Sequence, residues 1–150
     1  MKLSDTIALV LESKEQNNVL SVAPDQSVYV AIEKMAIHGI GALLVIFDER
    51  LVGIVSERDY ARKVILMGRS SRETLVRQIM TVPVVVVSLK QTVDDCMAIM
   101  TKHHFRHLPV VQDEVVVGVI SIGDLVKWII SDQARTIEEL EGYIAGAYPR

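Results

Sequence analysis

The sequence predicts a mixed α/β fold, of the α+β kind, in which two copies of a β-α-β-β-α unit pack pseudo-symmetrically. The first observation is that residues 24–65 align with residues 89–130, at an offset of 65, without a gap. The second is that apolar spacing changes between strand-like and helix-like in the same order in both copies. The third is length: the chain has 150 residues, and a unit of about 45 residues has too little core to stand alone. We therefore expect the two copies to bury their apolar faces together.

The identical positions extend along the whole repeat. They include Gln26 with Gln91, Val28 with Val93, Met35 with Met100, His38 with His103, Leu43 with Leu108, Gly53 with Gly118, Ser56 with Ser121 and Asp59 with Asp124. Many other aligned pairs exchange one branched aliphatic residue for another. Such similarity without gaps indicates an internal duplication.

Each copy has the same predicted order of elements. A β-branched strand comes first, and Ser27 or Thr92 then caps a helix with apolar residues at helical spacing. Two strands joined by an acidic turn follow, and Ser56 or Ser121 caps a second helix that runs to residue 65 or 130. The predicted strands are 19–22, 42–47 and 51–55 in the first copy, and 84–88, 108–111 and 115–120 in the second.

Helices are predicted outside the repeats as well. Apolar stripes occur at 3–11 and at Ile137, Leu140, Tyr143 and Ile144, and such stripes pack onto the protein body or contact a second subunit. The predicted division is an N-terminal helix at 1–14, a first repeat at 15–66, a linker at 67–79, a second repeat at 80–131 and a C-terminal helix at 132–150.

The composition argues against several functional classes for this chain. Half of the residues are hydrophobic and the mean hydropathy is +0.32, yet the apolar runs are far shorter than the roughly 18 residues that a membrane span needs. A net charge of −3 provides no overall basic field for nucleic acid. The N-terminus does not resemble a secretory signal, so a cytoplasmic location is expected. The single cysteine, Cys96, is interpreted as a small buried hydrophobe.

The residues best suited to bind a ligand follow the last strand of each copy. Gly53, Ser56 and Asp59 are repeated as Gly118, Ser121 and Asp124. A serine at the N-cap and an aspartate three residues later place a hydroxyl, free backbone amides and a carboxylate around one helical turn. Amides and a hydroxyl at a helix start suit a phosphate, and a carboxylate can accept both hydroxyls of a ribose. The same residues also fit a capping box with no ligand, and duplicated capping alone stays open.

These motifs resemble the cystathionine-β-synthase (CBS) domain, and the tandem resembles the CBS pair, or Bateman module. The similar segments are GIVSERDY at 53–60, FRHLPVV at 105–111 and GVISIGDL at 118–125, and the resemblance covers about residues 15–131. It implies a non-catalytic sensor that binds an adenine nucleotide between its repeats. AMP is the first candidate, and ATP, ADP, NAD and S-adenosylmethionine are alternatives. It also implies a homodimer and a role in sensing cellular energy.

The resemblance assigns candidate site residues. Ser121 and Asp124 are expected to serve one nucleotide cleft, and Ser56 and Asp59 the other. Arg106 and His107 favour the Asp124 cleft, because the first copy has Gly41 and Ala42 there. Thr81 matches a threonine that the family often uses near the base or ribose, and Arg58 is expected to reach a phosphate. Lys14 is assigned to the Asp59 cleft.

The sequence also allows other interpretations. His103, His104 and His107 suggest a metal site, but a turn is predicted before His107 and no acid or cysteine completes the ligand set, so no metal is expected. No nucleophile, base and orienting group can be named, which disfavours an enzyme. The main alternative is a module that dimerises and docks on a partner protein with empty clefts.

Overall fold

The computed structural model describes residues 4–14 and 19–144, with the backbone alone at 143 and 144. The chain divides into two compact units that do not follow the repeats. One comprises Met1–Glu15, Leu89–Leu108 and Ile120–Arg150, and the other comprises Gln16–Ser88 and Pro109–Val119. The mixed α/β class predicted from the sequence is confirmed.

The second unit contains most of the first repeat. Its elements are β1 (Ser21–Val22), α2 (Val28–His38), β2 (Ala42–Phe47), β3 (Arg50–Ser56) and α3 (Glu57–Tyr60), which continues as a π-helical turn at Ala61–Ile65. The sheet order is β1-β2-β3, with β1 parallel and β3 antiparallel to β2. A core that includes Val28, Met35 and Val55, all nearly inaccessible to solvent, joins α2 to this sheet.

The first unit is mainly helical. It holds α1 (Ile7–Ser13), α4 (Val93–His103) and α5 (Ile122–Ile144). The Ile7 amide donates to the Gln91 carbonyl at 2.8 Å, and the Trp128 Nε1–H donates to Asp5 Oδ2 at 3.0 Å. These bonds fix the start of α1 against the entry to α4 and against α5.

The remaining hairpin consists of β4 (His107–Gln112) and β5 (Val115–Ser121), which pair with each other. Its turn matches that of the first copy: Asp48 and Glu49, like Asp113 and Glu114, all have positive φ values between 52° and 68°. The two acidic turns predicted from the sequence are thus formed by residues in the left-handed region.

Three predicted elements differ from the structure. The strand predicted at 84–88 is reduced to one isolated parallel bridge between Val87 and Val110. The first strand, predicted at 19–22, is limited to β1. The helix predicted to end near residue 130 and the C-terminal helix are one continuous α5, because 124–141 contains neither glycine nor proline to end a helix. Predicted helical residues at 1–3 and 145–150, and the side chains of Tyr143 and Ile144, lie outside the described residues.

Candidate functional site

Asp124 lies at the start of α5, directly after the last strand of the second copy. The Ser121 backbone amide donates to Asp124 Oδ2 at 2.8 Å, and the Asp124 amide donates to Ser121 Oγ at 3.0 Å. Together these bonds form the reciprocal cap that the serine-x-x-aspartate spacing predicts. The capping role is therefore present in the structure.

A lysine from the other end of the chain also contacts this cap. Lys14, just after α1, donates from Nζ to Asp124 Oδ2 at 2.9 Å, and both side chains are about one-quarter exposed. The cap alone does not require this ion pair, which brings a positive charge to the start of α5.

The pKa of Asp124 is lowered from its ordinary value of 3.8. Burial is the largest single influence and raises the pKa, but it is outweighed by the hydrogen bond and charge of Lys14 together with the hydrogen bonds from Ser121. Asp124 is consequently an anion at neutral pH, and its charge is paired.

Arg106 and His107 lie in the chain segment that enters β4, and His107 is close enough to Asp124 to interact with its charge. The Ile122 amide donates to the Arg106 carbonyl at 2.9 Å, which ties this segment to the start of α5. Arg106 is exposed and His107 is half-buried. Burial lowers the pKa of His107 below 6.5. The negative charge of Asp124 opposes this shift, whereas the positive charges of Lys14 and Arg106 add to it. His107 is therefore neutral at pH 7, and Arg106 supplies the positive charge.

Asp59 occupies the corresponding place in the first copy. Its Oδ2 accepts from the Ser56 amide and from Ser56 Oγ, both at 3.0 Å. Its Oδ1 lies 3.2 Å from Lys63 Nζ and 3.3 Å from Thr81 Oγ1. Both oxygens of this carboxylate are thus engaged, and Asp59 is 9% exposed.

The structure corrects the predicted assignment of Lys14. It was expected with Asp59, but it forms its ion pair with Asp124, because α1 packs in the same unit as the start of α5. Thr81, which is expected near the base or ribose of a ligand, contacts Asp59 with its hydroxyl, because Thr81 forms an antiparallel bridge with Ile54 in β3. Asp124 of the second copy is therefore contacted by the segment that leads into the first copy. Asp59 of the first copy is contacted by the segment that leads into the second.

One residue of the Asp59 cluster was missed. Lys63, one helical turn after Asp59, adds a basic group to this cluster, whose strand lacks basic residues as predicted. Its signal in the sequence is the four-residue spacing from Asp59, which places both side chains on one helix face. Arg58 lies exposed on the first turn of α3, and its side chain makes no ion pair within the described part of the chain.

The three histidines considered as metal ligands are spread over different elements. His103 ends α4, His104 follows with a φ of 58°, and His107 opens β4. Residues 4–14 and 19–144 contain no group of three histidine, cysteine, aspartate or glutamate side chains that could hold a metal ion. His38 and His103, an identical pair in the repeat, each end a helix.

Both copies of the Ser-x-x-Asp cap lie in segments that match one protein family. The profile of the CBS domain matches residues 15–65 and again residues 76–131. The chain belongs to the CBS domain family. The resemblance noted in the sequence is thereby confirmed, and the two matched segments identify the chain as a tandem CBS pair.

Individual proteins that are similar to this chain also contain CBS domains. The mitochondrial CBS domain-containing protein CBSX3 of Arabidopsis thaliana is 37% identical over 97% of this chain and 74% of its own. A protein with CBS domains from Burkholderia ambifaria, whose structure has been solved, is 50% identical, with a TM-score of 0.83 over 85% of this chain and 96% of that one. A hexameric CBS-CP12 protein from bloom-forming cyanobacteria is 25% identical, with a TM-score of 0.68 over 88% of this chain and 83% of that one.

Family membership supports a general function. CBS pairs are generally regulatory ligand-binding modules and are typically non-catalytic. Within residues 4–14 and 19–144, no helix is long and apolar enough to cross a membrane.

Proposed function

We propose that this CBS pair is a non-enzymatic sensor that binds an adenine nucleotide, with AMP as first candidate, at the Asp124 and Asp59 carboxylates. The observation that carries the proposal is that each cap carboxylate also meets a lysine, Lys14 at Asp124 and Lys63 at Asp59. CBS domains commonly bind adenine nucleotides, which supports the ligand class. ATP, ADP, NAD and S-adenosylmethionine are the alternative ligands.

The two carboxylates differ in how readily they can accept a ribose. Lys14 and the Ser121 amide both contact Oδ2 of Asp124, so Oδ1 is the oxygen that a ribose hydroxyl would reach first. At Asp59 a ribose would have to displace Thr81 or Lys63 from Oδ1. The side chain of Asp124 is 22% exposed and that of Asp59 is 12% exposed. We therefore propose tighter binding at Asp124.

The phosphate of the ligand would lie near the start of α5. The Ser121 hydroxyl and the first amides of the helix suit an anion, and Lys14 and Arg106 add two positive charges. Neutral His107 can contribute one N–H donor. Arg58 is proposed as the corresponding cation for the Asp59 site.

Regulation would follow from a difference in affinity between nucleotides. A ligand changes a conformational equilibrium only as far as it binds one arrangement more tightly than the other. If AMP and ATP bind differently, the chain can report cellular energy; equal affinity for the two would contradict this role. We further propose a homodimer in the cytoplasm that acts on a separate protein target, although the Arabidopsis relative is mitochondrial by name.

The experiment is a thermal-shift titration with AMP, ADP, ATP, NAD and S-adenosylmethionine. It compares the wild type with Asp124→Asn and Asp59→Asn. Asp95→Asn is the matched control, because Thr92 and Asp95 form the same reciprocal cap at the start of α4. A ligand at 100 times its Kd adds about 2.7 kcal/mol, which for a chain of this length raises the Tm by roughly 5 to 10 °C.

The outcomes separate binding from capping. A rise in Tm for an adenine nucleotide that survives Asp95→Asn and is lost in Asp124→Asn supports the proposal. A loss in Asp59→Asn alone would reverse the proposed order of the two sites. No rise with any of these ligands would overturn nucleotide binding and favour a module that acts only through protein contacts.

A further inference from the structure

The helix α1 is attached to α5 at both of its ends. Before α1, the Asp5 carboxylate accepts the Trp128 Nε1–H at 3.0 Å. After α1, Lys14 donates from Nζ to Asp124 Oδ2 at 2.9 Å. Asp124 and Trp128 are four residues apart and therefore share one face of α5. Ile7, between the two attachments, is fully buried. The backbone of Lys14 is thus held beside Asp124.

The lysine occupies a position that a ribose needs. Each oxygen of a carboxylate has about two lone-pair sites for hydrogen bonds. Oδ2 of Asp124 already accepts from the Ser121 amide at 2.8 Å and from Lys14 Nζ at 2.9 Å. A ribose that offers one hydroxyl to each oxygen must therefore replace one of these donors. The Ser121 amide is fixed by the cap at the start of α5, so Lys14 is the donor that can leave.

The departure of Lys14 from Asp124 has an electrostatic cost. Both side chains are only about one-quarter exposed, and a hydrogen bond between charged groups is about twice as strong as one between neutral groups. A ribose hydroxyl replaces the lysine at the carboxylate but returns no charge to the lysine. A phosphate at the start of α5 does return one, with about two negative charges within reach of a flexible four-carbon side chain.

We propose that Lys14 exchanges between Asp124 and the 5′-phosphate of the ligand, so that a phosphate is required for tight binding at Asp124. This inference rests on the proposed function and narrows its ligand class to adenosine 5′-phosphates. Before binding, Lys14 holds the oxygen that the ribose needs. During binding, the phosphate takes the lysine and the carboxylate takes the ribose. Adenosine lacks the phosphate and must break the ion pair without compensation, so Lys14 determines specificity.

Only the side chain of Lys14 has to move in this exchange. The Ile7 amide donates to the Gln91 carbonyl at 2.8 Å, and the Val93 amide donates to the Asp5 carbonyl at 2.9 Å. These bonds join the start of α1 to the entry of α4 and involve neither the ion pair nor the cap. The helix therefore keeps its place, and Lys14 stays within reach of the site after it leaves the carboxylate.

The first test compares AMP with adenosine by isothermal titration calorimetry. All proteins carry Asp59→Asn, so that binding is measured at Asp124. In this background AMP should bind at least tenfold more tightly than adenosine. Adding Lys14→Met should strengthen adenosine binding about tenfold, because the ribose no longer competes with a lysine, and should weaken AMP binding, because the phosphate loses a cation. Adding Lys14→Arg keeps the charge and should keep the preference for AMP.

Lys34→Met is the matched control. It removes one lysine and one hydrogen bond, from Lys34 Nζ to the Ser21 carbonyl at 2.6 Å, in the other compact unit. The ratio of the two affinities should not change. If neither ligand binds to the Asp59→Asn protein, nucleotide binding at Asp124 is refuted, and the exchange with it. If AMP binds but Lys14→Met changes both affinities by the same factor, only the exchange is overturned.

A second measurement determines what moves. Hydrogen exchange of the amides in α1 should be the same with and without saturating AMP, because the bonds that hold the helix persist. Faster exchange throughout α1 in the presence of AMP would show that the whole helix leaves α5, and would overturn an exchange confined to the Lys14 side chain.

Discussion

At the scale of single residues, two identical caps have acquired different neighbours. Asp124 shares its charge with Lys14, which lies 110 positions away in the chain. Asp59 shares its charge with Lys63, only one helical turn away, and also contacts Thr81. The same serine-x-x-aspartate spacing therefore produces one carboxylate that is held by a distant lysine and one that is held by a lysine on its own helix and by Thr81.

Replacing Lys14 should change the ionisation of Asp124. In Lys14→Met, burial still raises the pKa of Asp124, but the opposing hydrogen bond and charge are gone, so the pKa should rise above its wild-type value. Stability at pH 7 should fall by about 1–2 kcal/mol, between the values typical of exposed and buried pairs. Carbon-13 NMR titration of the Asp124 carboxyl measures the shift.

Lys14→Arg is the control for this prediction, because it keeps the charge. The sign follows from linkage: the lowered pKa of Asp124 in the wild type gives stability that is present above the ordinary pKa of 3.8 and is lost as the pH falls through the folded value. Lys14→Met should therefore lose less stability on acidification than the wild type. An unchanged Asp124 pKa in Lys14→Met would show that the ion pair does not form in solution.

At the scale of elements, the hairpin turns accept unfavourable backbone angles. Glu49 and Glu114 have φ values of 66° and 68°, a region that costs residues with a Cβ roughly 1–2 kcal/mol. Both side chains are exposed, and the turn type with two positive φ values prefers glycine at the second position. The duplication has preserved this strain in both copies.

Glycine in these turns should stabilise the protein. We expect Glu49→Gly to raise the free energy of unfolding by up to about 1 kcal/mol, since relief of the left-handed strain exceeds the added entropy of the unfolded chain. Chemical denaturation measures the change. Glu49→Ala removes the same carboxylate but keeps the Cβ, and a stabilisation by alanine equal to that by glycine would refute the strain argument.

At the scale of the whole molecule, buried titratable groups limit stability on both sides of neutral pH. The pKa of His107 is below 6.5 in the folded chain, so the unfolded chain binds more protons and stability falls as the pH drops below 6.5. Burial and the charge of Asp95 raise the pKa of Cys96 to about 11 from 9.0. Stability linked to this thiol is present below pH 9 and is lost as the pH rises towards 11.

These two limits can be separated by substitution. We expect His107→Gln to flatten the acid side of the profile of Tm against pH, and Cys96→Ala to flatten the alkaline side. The wild type should lose about 2–3 kcal/mol from Cys96 ionisation between pH 9 and pH 11. The cavity left by alanine lowers stability at every pH, so the slope is the quantity to compare. Equal alkaline slopes in both proteins would exclude Cys96 as the cause.

Local patterns in the sequence were enough to predict the main elements and the caps. Ser27, Thr92, Ser56 and Ser121 cap helices where the spacing places them, because a cap depends on residues within one turn. Both acidic turns and both long hairpins were predicted for the same reason. The duplication itself was visible from aligned residues alone.

The sequence by itself thus determined the repeated unit, its family and the positions of Asp59 and Asp124. Tertiary structure alone decided which distant residues meet them: Lys14 at Asp124 and Thr81 at Asp59. It also decided that α5 continues past residue 131, with Ile137 and Leu140 exposed. The physical reason is that caps and turns are closed by neighbours in the chain, whereas a contact across 110 positions depends on how whole elements pack.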